Sequence, residues 1–284
     1  MSKENVKKDF SIGDELNVNR IGYGAMRITG KGIFGPPADK DEALRVLKKA
    51  VELGVNFIDT ADSYGPNVSE ELIAEALYPY AAGLVIATKG GLLRPGPDVW
   101  TQDGSPAHLK EALHGSLKRL KLEAIDLYQL HRIDAKVPAE KTFTFLQQAQ
   151  QEGKIKHIGL SEVTVEQIKK AGEFFKVVSV QNMYSVDNRK WEAELDYCTK
   201  ENIAFIPWYP LNAGNVKSLD VLQKVAKKHS VTPQQIALSW LLQRANNILL
   251  IPGTSKVIHL EENLKAGSIL LTGDDIKELD GISA

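Results

Sequence analysis

Short apolar runs alternate with stretches of helical periodicity from one end of the chain to the other. The runs are Ile21–Ala25, Val55–Asp59, Leu84–Lys89, Ile125–His131, His157–Ser161, Val177–Asn182, Ile203–Trp208 and Ile248–Pro252. They are rich in β-branched residues and apolar on both faces, as are strands buried on both sides of a parallel sheet. Between them, Leu44, Leu47 and Val51 recur at helical spacing behind Asp39, with Glu42 completing a capping box and Gly54 as the stop. Ser105-Pro106 opens another helix with Leu109, Leu113 and Leu120 on one face. Thr232-Pro-Gln-Gln235 opens a third, through Trp240 and Leu241. Eight strand–helix units predict an α/β fold of the closed (β/α)8 type, a TIM barrel, over a doubly wound sheet. Phe10–Val18, folded about Gly13-Asp14, predicts an N-terminal β-hairpin plugging the bottom of the barrel.

Composition narrows the classes. The eight units and the hairpin use up the 284 residues, so one barrel domain over 1–284 is expected, with no length left for a separate cofactor domain. With 35 basic and 36 acidic residues the net charge is −1, which argues against nucleic acid as a partner. The single cysteine, Cys198, excludes an internal disulfide and suits a reducing, cytoplasmic compartment. The start MSKENVKKDF lacks the apolar core of a leader, and no apolar run approaches the ~20 residues that span a bilayer, so no membrane partner is expected. The histidines and Cys198 show no metal-ligand spacing, His108 and His114 being six apart, and no metal is expected. Gly22-Tyr-Gly24-Ala-Met-Arg27 begins like a dinucleotide fingerprint, but Arg27 takes the third glycine's place and no helix is expected to follow.

Chemistry in such a barrel gathers where the strands end. Strand two ends at Asp59, followed by Thr-Ala-Asp-Ser-Tyr64-Gly65; strand three ends at Lys89; strand four ends at His131. Singly, each has an ordinary structural reading: a turn aspartate, a snorkelling lysine, a satisfied core histidine, a tyrosine over an apolar loop. Together on one rim they are chemically coherent. Lys89 and Asp59 should pair, since neither charge is cheap to bury alone. A lysine ammonium favours the phenolate of Tyr64 and eases donation of its proton, while His131 can hydrogen-bond a carbonyl oxygen. None of the four is a hydride source, so a reduction needs a cofactor.

These motifs resemble the aldo-keto reductase family: Gly54-Val-Asn-Phe-Ile-Asp59-Thr-Ala-Asp-Ser-Tyr64-Gly65, Ala87-Thr-Lys89-Gly-Gly91, Asp126-Leu-Tyr-Gln-Leu-His131-Arg132 and Ile158-Gly-Leu-Ser161, in order along essentially the whole chain. The resemblance implies Tyr64 as general acid, Lys89 and Asp59 as its tuning pair, and His131 as the group orienting a small-molecule carbonyl. It also implies a reduced nicotinamide cofactor lying extended across the barrel mouth. Ser161 and Gln181 then match residues holding the carboxamide, and Trp208, before Tyr209-Pro210-Leu211, matches a ring stacked on the nicotinamide. Glu162 stands where the family often has Asn; it can accept from an amide but cannot donate.

The segment from Ile251 to Asn263 opens a helix after a hydroxyl-bearing loop, a physical anion site or simply a capped helix. The family commonly has Lys at the place of Gly253 and Arg at that of His259, both clamping a 2′-phosphate. Thr254, Ser255 and Lys256 can substitute, so NADPH is expected, with NADH use left open. Glu262 and Asn263 match adenine contacts. Met26, Arg27, Phe34, Trp100 and Arg132 are expected at the substrate pocket, and Gly90 to Ser105 as a wall-forming loop. Within the family, Ile21–Met26, Phe34-Gly-Pro-Pro37 and Tyr64-Gly-Pro66 look most similar to pyridoxal reductase (pyridoxine dehydrogenase)-like members, with Arg27 or Arg132 meeting an anionic or phenolic group. Many family members are monomers, so a monomer or weak oligomer is expected. Two other readings stay open: a cofactor-binding regulatory subunit like the channel β-subunits, and a Schiff-base aldolase with Lys89 as nucleophile.

Overall fold

The computed structural model describes residues 7–209 and 216–283. β1 (Asp9–Ile12) and β2 (Leu16–Asn19) form the N-terminal antiparallel hairpin. Its turn needs left-handed backbone at Gly13 (φ +63°) and Asp14 (φ +70°), and a Cβ on Gly13 would lie 2.8 Å from the His157 ring. Phe10, Ile12 and Val18 pack on Phe57, Val85, Leu127, Ala204 and Leu249, which line the barrel interior. The hairpin therefore closes the bottom, as expected from Gly13-Asp14 within Phe10–Val18.

Seven parallel strands follow: β3 (Tyr23–Gly24), β4 (Phe57–Asp59), β5 (Val85–Gly90), β8 (Ile125–Leu130), β9 (Ile155–Ser161), β10 (Val177–Gln181) and β11 (Ala204–Phe205), hydrogen-bonded in that order. The eighth position is reduced to bridges, Ile248 to Phe205 and Leu250 to Ile21, which close the ring. Strands one and seven are shorter than the apolar runs suggest, because apolarity marks burial whereas ladder length depends on pairing geometry. The stretch after Gly22 also departs from expectation, turning once as a 3-10 helix at Ala25–Ile28. Gly90 to Ser105 is an antiparallel hairpin rather than an irregular loop, with β6 (Leu92–Gly96) and β7 (Val99–Gln102).

Helices α1 (Lys40–Glu52), α2 (Val68–Leu77), α3 (Pro106–Leu120), α4 (Ala139–Gln151), α5 (Val165–Ala171) and α6 (Glu192–Lys200) alternate with the strands. Two helices, α7 (Val216–His229) and α8 (Pro233–Arg244), lie between strand seven and the eighth segment; α9 (Val257–Lys265) and α10 (Gly273–Asp280) end the chain. Asp39 caps α1 by accepting from the Glu42 backbone N–H at 2.9 Å, but the predicted box is half made. Glu42 turns away to accept from the Val257 N–H at the start of α9. The fully buried face of α1 is Ala43, Val46, Leu47 and Ala50, with Leu44 and Val51 only partly buried at its margin. Ser105 caps α3, whose Leu109, Leu113 and Leu120 are buried, and Thr232 and Gln235 cap α8 reciprocally. No helix among the described residues is long and apolar enough to cross a membrane.

Candidate active site

Strands β4, β5 and β8 are neighbours, so their ends bring Asp59, Lys89 and His131 to one stretch of rim. The Lys89 ammonium has no solvent exposure. A charge in that position needs partners, and it donates to Asp59 Oδ1 at 2.5 Å, to the Thr60 carbonyl at 2.8 Å and to the Tyr64 hydroxyl at 3.4 Å. The other Asp59 oxygen accepts from Gln129 Nε2 at 3.0 Å and Gln181 Nε2 at 2.9 Å. Tyr64 is held by its own turn: Thr60 N–H donates to the Ala87 carbonyl, Asp62 N–H to the Lys89 carbonyl, and Ser69 N–H to the Tyr64 carbonyl.

The electrostatics follow from this burial. Desolvation works to lower the Lys89 pKa, but Asp59 and Tyr64 outweigh it and the value is raised, so the group stays an ammonium. For Tyr64 burial dominates and raises the phenol; Lys89 opposes it without overcoming it. The expectation that Lys89 eases proton donation thus names one contribution with the right sign, while the net shift runs the other way. His131 is pushed well below the ordinary histidine value by burial first, then by Lys89 and Arg132, and is a neutral imidazole. Its Nδ1 lies 3.3 Å from the Ser63 hydroxyl; with Ser63 donating there, Nε2 carries the proton and is the donor. The Tyr64, His131 and Trp100 rings meet edge to face, with centroids 5.9 to 6.4 Å apart.

Arg94, which the sequence reading passes over, holds this wall. Its buried guanidinium donates to the carbonyls of Gly32, Ile33, Ser63 and Val99 and lies 3.6 Å from the Trp100 ring centroid. It joins the strand-one loop, the Tyr64 turn and the β6–β7 hairpin. Gln129 is a second omission, and here a signal exists: Leu127, Gln129 and His131 alternate onto the barrel interior. Gln181 reaches inward by another route. An extra residue between Val177 and Ser179 shifts the register against β9, so simple alternation from Val178 would aim it wrongly.

The expected cofactor residues divide into two groups. Around strands five to seven, Ser161 Oγ accepts from Arg132 Nη1 at 2.8 Å, and Gln181 commits its side-chain nitrogen to Asp59. Glu162, at φ +54°, accepts with Oε1 from the Met183 N–H at 2.6 Å and from Trp208 Nε1 at 2.7 Å, so it orients the Trp208 ring. Tyr209 packs beside Trp208 at 6.2 Å; Pro210 and Leu211 lie outside the described residues. On the strand-one and strand-eight rim, Gly253, Thr254 and Ser255 share a cavity of about 470 Å³ with Met26, Arg27, Lys31 and Asp98. Gly253 is needed there, since a Cβ would lie 2.9 Å from the Gly24 carbonyl oxygen. Lys256 precedes α9; His259 on that helix is exposed, Glu262 is partly buried and Asn263 is buried. Met26 and Arg27 thus face this cavity, while Trp100 and Arg132 stand by Tyr64. Phe34 stays near that wall, 6.0 Å from the Arg94 guanidinium.

Comparison with known proteins agrees with this fold. Residues 20–284 match the model of the Aldo/keto reductase family. An uncharacterized oxidoreductase of Schizosaccharomyces pombe is 53% identical over 270 residues, 95% of this chain and 88% of the relative. Pyridoxine 4-dehydrogenase of Escherichia coli K12 is 44% identical over 280 residues, 96% of this chain and 98% of the relative. The crystal structure of an aldo-keto reductase from Klebsiella pneumoniae in complex with NADPH superposes with a TM-score of 0.82 at 25% identity, covering 98% of this chain and 95% of that one. With a closed barrel, a polar cluster at its strand ends and relatives over nearly its full length, the chain belongs to the aldo/keto reductase family of oxidoreductases.

Proposed function

We propose that the protein reduces an aldehyde or ketone to the alcohol with NADPH, with Tyr64 as general acid and pyridoxal among its substrates. The observation that carries this reading is the fully buried Lys89 ammonium bonded to both Asp59 and Tyr64 beside a neutral His131. A carbonyl oxygen at the mouth accepts from His131 and from the Tyr64 hydroxyl. As negative charge develops on that oxygen, Tyr64 passes its proton to it, and Lys89 stabilises the phenolate left behind. Asp59, saturated by Lys89, Gln129 and Gln181, keeps the lysine in place throughout. A reduced nicotinamide cofactor, when bound, would supply the hydride. Protein groups alone hold and move the proton, and solvent returns it to Tyr64.

The residues present suit that cofactor. Arg27 and Lys31 bring two cations to the strand-one and strand-eight cavity, where Thr254 and Ser255 add hydroxyls, a donor set for phosphate oxygens. Lys256, Glu262 and Asn263 then meet the adenosine end, and Ser161, Gln181 and Trp208 the nicotinamide end. NADPH in the Klebsiella relative and the pyridoxine activity named for the E. coli relative support the same assignment. The Schiff-base alternative loses ground on one observation: a lysine held as an ammonium by a carboxylate at 2.5 Å has no free amine to attack a carbonyl.

A panel of aldehydes and ketones that includes pyridoxal, followed by NADPH and NADH oxidation, tests the reading. Turnover of at least one carbonyl with NADPH, at a lower cofactor KM than with NADH, is expected. Tight NADPH binding without turnover across the panel would instead indicate a partner subunit.

A further inference from the structure

Arg132 follows His131 at the end of β8, and its guanidinium is used on one side only. Nη1 donates to the His131 carbonyl at 2.6 Å and to Ser161 Oγ at 2.8 Å. Nε and Nη2 have no acceptor among the described residues, and neither is sealed from solvent. No carboxylate of the described residues lies within ion-pair distance of it. The nearby acid, Glu162, spends Oε1 on Met183 and Trp208. The Trp208 ring centroid is 5.9 Å from the guanidinium. The charge of Arg132 is also felt at the Tyr64 phenol and the His131 imidazole, lowering the pKa of each. Glu162 supports the Arg132 charge through space without an ion-pair contact, and a planar fork with free donors suits two oxygen acceptors or one anionic oxygen.

We infer that Arg132 is a substrate-anion subsite, so that the preferred substrates are planar aromatic aldehydes carrying an acidic oxygen, phenolate or carboxylate, on the atom next to the carbonyl-bearing carbon. The inference rests on the carbonyl-reductase reading and supplies its substrate class. The bond from Arg132 to the His131 carbonyl keeps the guanidinium beside that residue's backbone: in the proposed complex the carbonyl oxygen takes the imidazole and the phenol, and the acidic oxygen takes the guanidinium. Arg27 does not serve this role, because it faces the other cavity with Gly253 to Ser255.

Matched substrates test this: benzaldehyde, 2-hydroxybenzaldehyde, 2-carboxybenzaldehyde and pyridoxal, each with saturating NADPH. In the native protein kcat/KM for the acidic aldehydes should exceed that for benzaldehyde by about 10-fold or more, the effect of one charge-assisted hydrogen-bonded pair. In Arg132→Gln that ratio should collapse to within about 2-fold, and Arg132→Lys should restore part of it. A ratio unchanged in Arg132→Gln, or no preference in the native protein, would overturn the inference. Preference for the hydroxy over the carboxy aldehyde would assign the phenolate as the natural anion, and the reverse the carboxylate; either supports it. Tryptophan fluorescence separates this from the reductase reading, since Trp208 and Trp100 lie at the site. Without cofactor, benzoate should bind at least about 10-fold more weakly to Arg132→Gln than to the native protein, while benzyl alcohol should not discriminate. Arg132-dependent benzoate binding without any carbonyl turnover would sink the reductase reading and leave the anion subsite standing.

Discussion

Lys89 and Arg132 stand at the ends of neighbouring strands, and their surroundings could hardly be more different. Lys89 is wholly buried and every proton on its nitrogen has an acceptor: a carboxylate, a carbonyl and a phenol. Arg132 has one nitrogen engaged, and its Nε and Nη2 have no acceptor among the described residues. Arg94, a further cation of the mouth, is buried like Lys89 but donates its hydrogen bonds to backbone carbonyls alone. The contrast separates roles. A saturated cation is part of preassembled machinery and acts on its neighbours, whereas a half-used cation is completed from outside.

Removing the saturated cation should have the largest consequence. Lys89→Met leaves Asp59 charged, buried and short of its main partner, and should lower stability by about 3–5 kcal/mol in chemical denaturation. Reduction should fall by two orders of magnitude or more in the fraction that stays folded. Retained activity with normal stability would mean that the pair is ornamental and the contrast with Arg132 empty.

The pH profile should show the same division. Tyr64 donates only while protonated, and burial keeps its pKa above the ordinary 10.0, so kcat should hold through neutral and mildly alkaline pH and decline only above that value. His131, displaced well below 6.5, should produce no break in the ordinary histidine range. A limb in kcat between pH 6 and 8, with chemistry rate-limiting, would contradict these assignments.

Arg94→Ala deletes hydrogen bonds to four carbonyls and the stacking partner of Trp100. A loss of roughly 3 kcal/mol of stability is expected, with a raised KM for aromatic carbonyl compounds as the Trp100 wall loosens. An unchanged KM would show that the wall is set by the hairpin itself.

A pH-dependent effect concerns Asp62, buried on the Tyr64 turn with Oδ1 unpartnered. Burial first, then Glu70, raises its carboxyl from 3.8 to about 8. Because the folded value lies above the unfolded one, the native protein loses stability as pH rises from about 4 to about 8. Asp62→Asn removes that titration. Its melting temperature should therefore gain on the native protein across the same window, and a constant gap would refute the shift.

The barrel was legible because buried parallel strands write themselves as apolar runs, and the hairpin because Gly13-Asp14 sits in the middle of Phe10–Val18. The residues whose chemistry is set by strand order, Asp59, Lys89 and His131, could be placed on one rim from strand ends alone. Other features could not. The α1 face shifted because alanines at 43 and 50 bury fully while carrying little hydrophobic signal. The half-made cap at Asp39 and the orientation of Glu162 depend on partners far along the chain, Val257 and Trp208. Arg94 reads as a surface residue in a turn-rich segment; only the fold places four carbonyls around it. The net direction of the Tyr64 shift likewise needed burial, which no spacing reveals.

The most direct test of the account is Tyr64→Phe, measured for both NADPH affinity and carbonyl reduction. The phenol is predicted to contribute as general acid, so kcat should drop by about 10²- to 10⁴-fold while NADPH binding and folding are retained. Full reductase activity in Tyr64→Phe would show that the proton comes from another group, and the assignment of the site's chemistry would fall.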